Sequence, residues 1–202
     1  MNQSRWLGLM ELLGVAPSLE TYNKLKLVYS EPHRHYHTII HINDCLTKLD
    51  SVIKLVENAV EVEAAIWFHD AIYKPYASDN ELKSANWAKS FFESMGVNKT
   101  RADKVYGHIM ATLHNEPAKS SDSRLIADID LSILGSEPDD YQVYEKAVRK
   151  EYKWVPYFIY RKKRRSVLSS LLERDFIYSN NYFQIEYEEK ARENMAIAIA
   201  KL

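Results

Sequence analysis

The chain has few of the residues that punctuate structure: five glycines, six prolines and one cysteine in 202 residues. An all-β sandwich or barrel needs turn residues at short spacing, and a Rossmann-type nucleotide fold needs glycine-rich strand-to-helix turns. Neither GxGxxG nor GxxxxGK(S/T) occurs. The lone Cys45 excludes a disulfide framework, a cysteine-rich zinc site and a CxxC redox pair. Charge of one sign is also missing. With 27 basic and 28 acidic residues the net charge is −1, without the basic excess of a nucleic-acid binder. No apolar run approaches the roughly 18–20 residues that span a bilayer. Trp6, Leu9, Met10 and Leu13 recur at helical spacing, so the first segment reads as an amphipathic helix rather than a leader. The expectation is an all-α, cytoplasmic protein with neither membrane nor nucleic acid as partner.

What is present agrees with that class. Apolar residues make up 46% and charged residues 27%, an ordinary globular balance, and the length suits a single domain over 1–202. Periodicity and punctuation predict nine or ten helices, over about 3–14, 18–30, 37–57 and 58–73, then from Ser78 to near Gly96. Further helices are predicted over about 100–114, 125–134, 138–154, 156–178 and 185–202, with a polar loop over 115–123. The 58–73 segment contains Ala64-Ala65-Ile66-Trp67-Phe68 and is apolar all round, so it should be central and buried. Ser78-Asp79-Asn80-Glu81 has the form of a capping box.

Three clusters can carry chemistry. Four histidines, His33, His35, His37 and His41, fall within nine residues. On a helix His37 and His41 share a face and can hold a metal or a phosphate; the plainer reading is a solvated cluster. His69-Asp70 closes the most apolar helix. A buried carboxylate there needs a partner or a metal, whereas a helix-end aspartate can simply be solvated. Asp128-Ile129-Asp130 interrupts another apolar helix. Two residues apart, these aspartates cannot share one face. Arg124 gives Asp128 an i, i+4 partner, while Asp130 has no basic residue at i±3 or i±4, which makes Asp130 the better ligand candidate. His41, His69, Asp70 and Asp130 together form an N₂O₂ set suited to one or two octahedral divalent ions (Mn, Mg, Fe, Co or Ni), and water activated by such an ion performs hydrolysis.

The order His … His-Asp … Asp on an all-α chain resembles the HD superfamily of metal-dependent phosphohydrolases. More closely, the chain resembles bacterial proteins of roughly 200 residues known as predicted HD-superfamily phosphohydrolases. The resemblance is carried by Arg34–His41, Trp67–Tyr73, Asp79-Asn80-Glu81 with Ser84-Ala85, Ala127–Gly135 and the Ala191–Asn194 region. Tyr36-His37 and His41 are also similar to the YHN…H segment of cyclic-nucleotide phosphodiesterases, with Thr38 where those enzymes have Asn. The resemblance implies an HD-type helical fold and a small phosphoester or nucleotide substrate. It makes His41, His69, Asp70 and Asp130 metal ligands, with Asp70 bridging if there are two ions. His37 would protonate the leaving oxygen. Arg34, Glu81 and His114 would lie toward substrate, while Lys74 reads as a surface charge. The alternatives are a non-catalytic metal and nucleotide sensor, or a di-iron oxygenase, which would need His108 and His114 to point inward. The basic run Arg161–Arg165 wraps a helix and reads as a solvated turn.

Overall fold

The computed structural model describes residues 1–115 and 118–202. Among these residues the chain is all-α, with ten α-helices, two short 3-10 turns and no strand. They pack as two compact units, Met1–Ala127 and Asp128–Leu202. Of the predicted loop over 115–123, residues 116 and 117 lie outside the described residues. No described helix is long and apolar enough to cross a membrane.

The first unit contains α1 (Gln3–Leu12), α2 (Leu19–Val28), α3 (Ile39–Ser51), α4 (Ala59–Phe68), α5 (Asn80–Ser94) and α6 (Lys99–Ala111). Being apolar on every side, α4 is buried from Ala64 through Phe68 and forms the unit's centre. Trp6 from α1 meets Trp67 edge-on at 5.3 Å, and Phe91 and Phe92 from α5 lie 5.7 and 5.4 Å from Phe68. Burying each such aromatic stabilises the unit by about 2–3 kcal/mol. The polar edge of Trp6 is satisfied at the Ser18 carbonyl, 2.9 Å away.

Two helices of this unit end where glycine allows a left-handed residue. Gly14 and Gly96 have φ of +75° and +89°. At Gly96 the Val97 N–H returns to the Phe92 carbonyl and the Gly96 N–H to that of Glu93, at 2.9 and 3.0 Å, which satisfies carbonyls the helix leaves bare. The start of α5 departs from expectation. Its N-cap is Asp79 with no side-chain capping bond, so Ser78 and Glu81 do not form the box their spacing suggests.

The second unit contains the last turn of α7 (Ser121–Leu131), a 3-10 turn over Ser132–Gly135, α8 (Pro138–Glu151), α9 (Tyr157–Leu172) and α10 (Asn181–Lys201). Pro138 occupies the first turn of α8, where its missing N–H costs nothing. Gly135 is required by close packing: a Cβ there would stand 2.5 Å from the Tyr187 carbonyl oxygen of α10. Asn194 of α10 donates to the Leu134 and Ser136 carbonyls at 3.0 and 2.9 Å. Arg192 donates to the carbonyls of Leu172, the last residue of α9, and of Arg174 and Asp175 beyond it, at 3.0, 2.8 and 3.0 Å. These bonds give the Ala191–Asn194 segment a structural role.

Candidate metal centre

The site begins where α4 stops. The apolar pattern predicts helix to residue 73, but α4 ends at Phe68, His69 is its C-cap, and Asp70 lies in the turn beyond. Side chains take over the carbonyls that further helical turns would have used. Tyr29 Oη donates to the Trp67 carbonyl at 3.1 Å. Arg34 donates from Nη1 to the Asp70 carbonyl at 2.7 Å and from Nη2 to that of Ala71 at 3.1 Å. The turn is fastened again on its far side. Ser84 Oγ accepts from the Ile72 N–H at 2.9 Å, and Asn80 exchanges two 3.0 Å bonds with the Lys74 backbone.

Within this unit three ligand atoms converge. His41 Nε2 and His69 Nε2 are 3.1 Å apart. Asp70 Oδ2 stands 3.2 Å from His69 Nε2 and 3.5 Å from His41 Nε2. His69 Nδ1 lies 3.0 Å from the Ile66 carbonyl, which can only accept, so Nδ1 carries the proton and the Nε2 of the neutral ring presents a bare lone pair. That lone pair faces a carboxylate oxygen, an arrangement that repels until a cation or a proton enters. Ligands about 2.1 Å from one ion are separated by about 3.0 Å in an octahedron and about 3.4 Å in a tetrahedron. The three observed separations fall near these values, so the residues fit a divalent cation. Burial pushes the Asp70 carboxyl up. Positive charge on the His69, His37 and His41 rings, present only when they carry a second proton, outweighs it and holds the group well below the usual carboxylate range.

Cys45, one turn after His41, is a member of the cluster that the sequence did not single out as a ligand. Its Sγ lies 3.8 Å from both ring nitrogens of His41, and ligand atoms of His41, Cys45 and His69 are all within 4.8 Å of one another. The i, i+4 spacing from His41 was the available signal. Other supporting groups also had sequence positions but no obvious chemistry: Tyr29, Asn80 and Ser84 act through the backbone, where a residue pattern is silent.

The remaining expected residues divide. The third helix begins at Ile39 with Thr38 as N-cap, not at 37. His37 therefore precedes the helix, yet its ring stacks on Tyr73 at 4.1 Å and lies 6.0 Å from the His41 ring. Arg34, expected to meet a phosphate, is instead buried and already engaged. It bonds the two turn carbonyls above, the His37 carbonyl at 3.0 Å and Glu31 Oε2 at 3.2 Å. Lys74 pairs with Glu31 at 3.3 Å. Glu81 is half-buried in the first turn of α5. His114 follows α6 with φ +54°, a left-handed position that histidine adopts more readily than most residues.

His108 is buried with Nδ1 2.9 Å from Ser123 Oγ, while Nε2 has no partner among the described residues. Burial lowers its pKa, and the facing charges that oppose the shift are Asp122 and Glu61. Glu61 lies eight residues before His69 on α4, a rise of about 12 Å, so His108 belongs to the opposite end of that helix.

Asp128 and Asp130 belong to the second unit. Asp128 is buried and accepts from the Ser179 and Asn180 backbone N–H groups at 2.8 and 2.6 Å, ahead of α10. Arg124 is not needed to explain it. Both Asp128 oxygens being engaged, Asp130 stays the ligand candidate of the pair; it is half-buried on the last turn of α7. Arg164, from the basic run, turns inward onto Glu145 at 2.5 Å and Tyr144 Oη at 2.9 Å.

Together these features define an all-α protein with a largely buried group of His41, Cys45, His69 and Asp70 that could hold a metal ion. No protein-family model, curated protein or solved structure matches the chain.

Proposed function

We propose that this chain is a metal-dependent phosphohydrolase acting on a small phosphoester, such as a nucleotide. The observation that carries the reading is the convergence of His41 Nε2, His69 Nε2 and Asp70 Oδ2 within 3.1–3.5 Å, with the His69 tautomer set by Ile66. A divalent ion held there supplies a Lewis acid and lowers the pKa of water to near neutral. The protein's own contribution is orientation. The Ile66 carbonyl fixes one imidazole, and Arg34 with Ser84 and Asn80 fixes the turn that carries Asp70. His37, stacked on Tyr73 outside the ligand triad, would hold a proton for the departing oxygen.

The di-iron oxygenase reading loses support, because it needs His108 near the triad and His108 faces Glu61 and Asp122. Metal analysis of the purified chain, with a phosphoester panel assayed before and after chelation, tests the proposal. Asp70→Ala is expected to lose bound metal and all hydrolysis while keeping its helical circular dichroism. Metal bound stoichiometrically with no turnover on any ester would favour a sensor module instead. Full metal retention in Asp70→Ala would refute the site.

A further inference from the structure

The second unit carries a feature that the metal centre does not use. Between Arg149 and Arg165 the chain has eight basic residues and one acidic residue, Glu151, within a protein whose net charge is −1. Apolar side chains are displayed in the middle of this segment. Phe158 is 73% exposed, Trp154 59%, Tyr157 55% and Ile159 41%. They occupy the bend before α9 and its first turn. The bend is held in shape: Arg149 donates to the Tyr152 and Val155 carbonyls at 2.5 and 3.1 Å, and its guanidinium lies 4.6 Å from the Tyr160 ring centre. The exposed tip is therefore preorganised.

Behind the tip, α9 buries only Tyr160, Leu168 and Leu171, with Arg164 half-covered beside them. At 100° per residue the opposite face carries Phe158 and Ile159 in its first turn and Lys162 in its second, flanked by Lys163 and Arg165. Lys162, Lys163 and Arg165 are exposed and have no acidic partner among the described residues. An aromatic and aliphatic tip with a collar of unpaired cations is the pattern by which proteins rest on a membrane: the rings enter the headgroup boundary and the cations meet lipid phosphates.

We infer that the Trp154–Arg165 segment is a docking surface for an anionic lipid bilayer. Two other occupants fit less well. A symmetric contact with a second copy would set this strongly basic patch against itself. Single-stranded nucleic acid calls for flat aromatic faces along a cationic groove, whereas the tip includes the aliphatic Ile159, and Tyr157 already lies against the Arg149 and Arg161 guanidinium groups at 5.7 Å each.

The test is sedimentation of the full chain with vesicles, comparing pure phosphatidylcholine with about three parts phosphatidylcholine to one of phosphatidylserine. Binding is expected only to the anionic vesicles and should weaken with salt. Trp154→Ser with Phe158→Ser should cut it roughly tenfold or more, and Lys162→Glu with Lys163→Glu roughly 25-fold or more, at about fivefold or more per cation. All four residues are exposed, so melting temperature should not change. Brominated lipid should quench tryptophan fluorescence in the parent chain and much less in Trp154→Ser. No binding to anionic vesicles would overturn the inference, as would binding that the tip variants retain in full. Tight binding of a labelled single-stranded oligonucleotide without vesicle binding would reassign the surface to nucleic acid. Self-association lost in the same variants, again without vesicle binding, would reassign it to a second copy.

Discussion

At the scale of single residues, His37 and Asp128 separate local spacing from actual role. Four residues before His41, His37 has the spacing of a helical neighbour. It lies outside the helix and reaches the site because Thr38 caps α3 and Tyr73 stacks on its ring. As the acid, it should be needed for turnover and not for the ion. His37→Ala is expected to keep its metal and lose roughly 10²–10⁴-fold in kcat on alkyl phosphates. The loss should shrink on aryl phosphates, whose leaving groups depart unprotonated. Parallel rate measurements on the two ester types, with metal content measured alongside, check this; equal losses would remove the acid role.

The two aspartates of α7 should behave oppositely. Asp128→Ala strips two backbone N–H groups of their acceptor and is expected to lower stability by about 2–4 kcal/mol. Asp130→Ala should leave stability nearly intact. Denaturant titration of both variants checks this, and an equal loss in the two would remove the capping role of Asp128.

At the scale of elements, helix ends do most of the positioning, and arginines finish them. Arg34 serves the turn after α4, Arg149 the bend before α9 and Arg192 the turn after α9. A planar guanidinium donates in several directions at once, which an ammonium group cannot reproduce. Arg34→Lys should therefore fail as a conservative change. It is expected to lower stability by about 2–4 kcal/mol and to weaken metal binding, because Asp70 rides on the turn that Arg34 holds. Thermal melts paired with metal titration test this, and unchanged affinity in the variant would show that the turn holds without it. Most helix starts were legible in the sequence to within a few residues, since amphipathic spacing, Gly14, Gly96 and Pro138 are local signals, but α3 and α9 end at Ser51 and Leu172, short of the expected 57 and 178. The early stop of α4 was not legible either. Ala71, Ile72 and Tyr73 carry the apolar pattern on past His69-Asp70, and the bonds that hold the stop come from Tyr29 and Arg34, far away in sequence.

For the whole molecule, a metal that binds the folded chain and not the unfolded one must stabilise it. At a free concentration about 100-fold above Kd the gain is about 2.7 kcal/mol. In a chain of this size that corresponds to a rise in Tm of roughly 5–11 °C. Calorimetry with and without divalent metal is expected to show that rise, with chelator reversing it and Asp70→Ala abolishing it. A transition indifferent to metal in the parent chain would contradict the centre.

Composition and periodicity alone determined the all-α class, the buried character of α4 and His69-Asp70 as a ligand candidate, whereas the choice of His41 over His37 rested on a resemblance. The first three depend on short-range pattern or on the physical difficulty of leaving a carboxylate in an apolar helix. Only the tertiary structure decided that Arg34 is a strut, that Asp128 is a cap ahead of α10, that His108 belongs to the far end of α4 and that Cys45 joins the cluster. A side chain's partner is set by which backbone groups folding leaves without hydrogen bonds. That in turn depends on where distant helices end, which no spacing within one segment encodes.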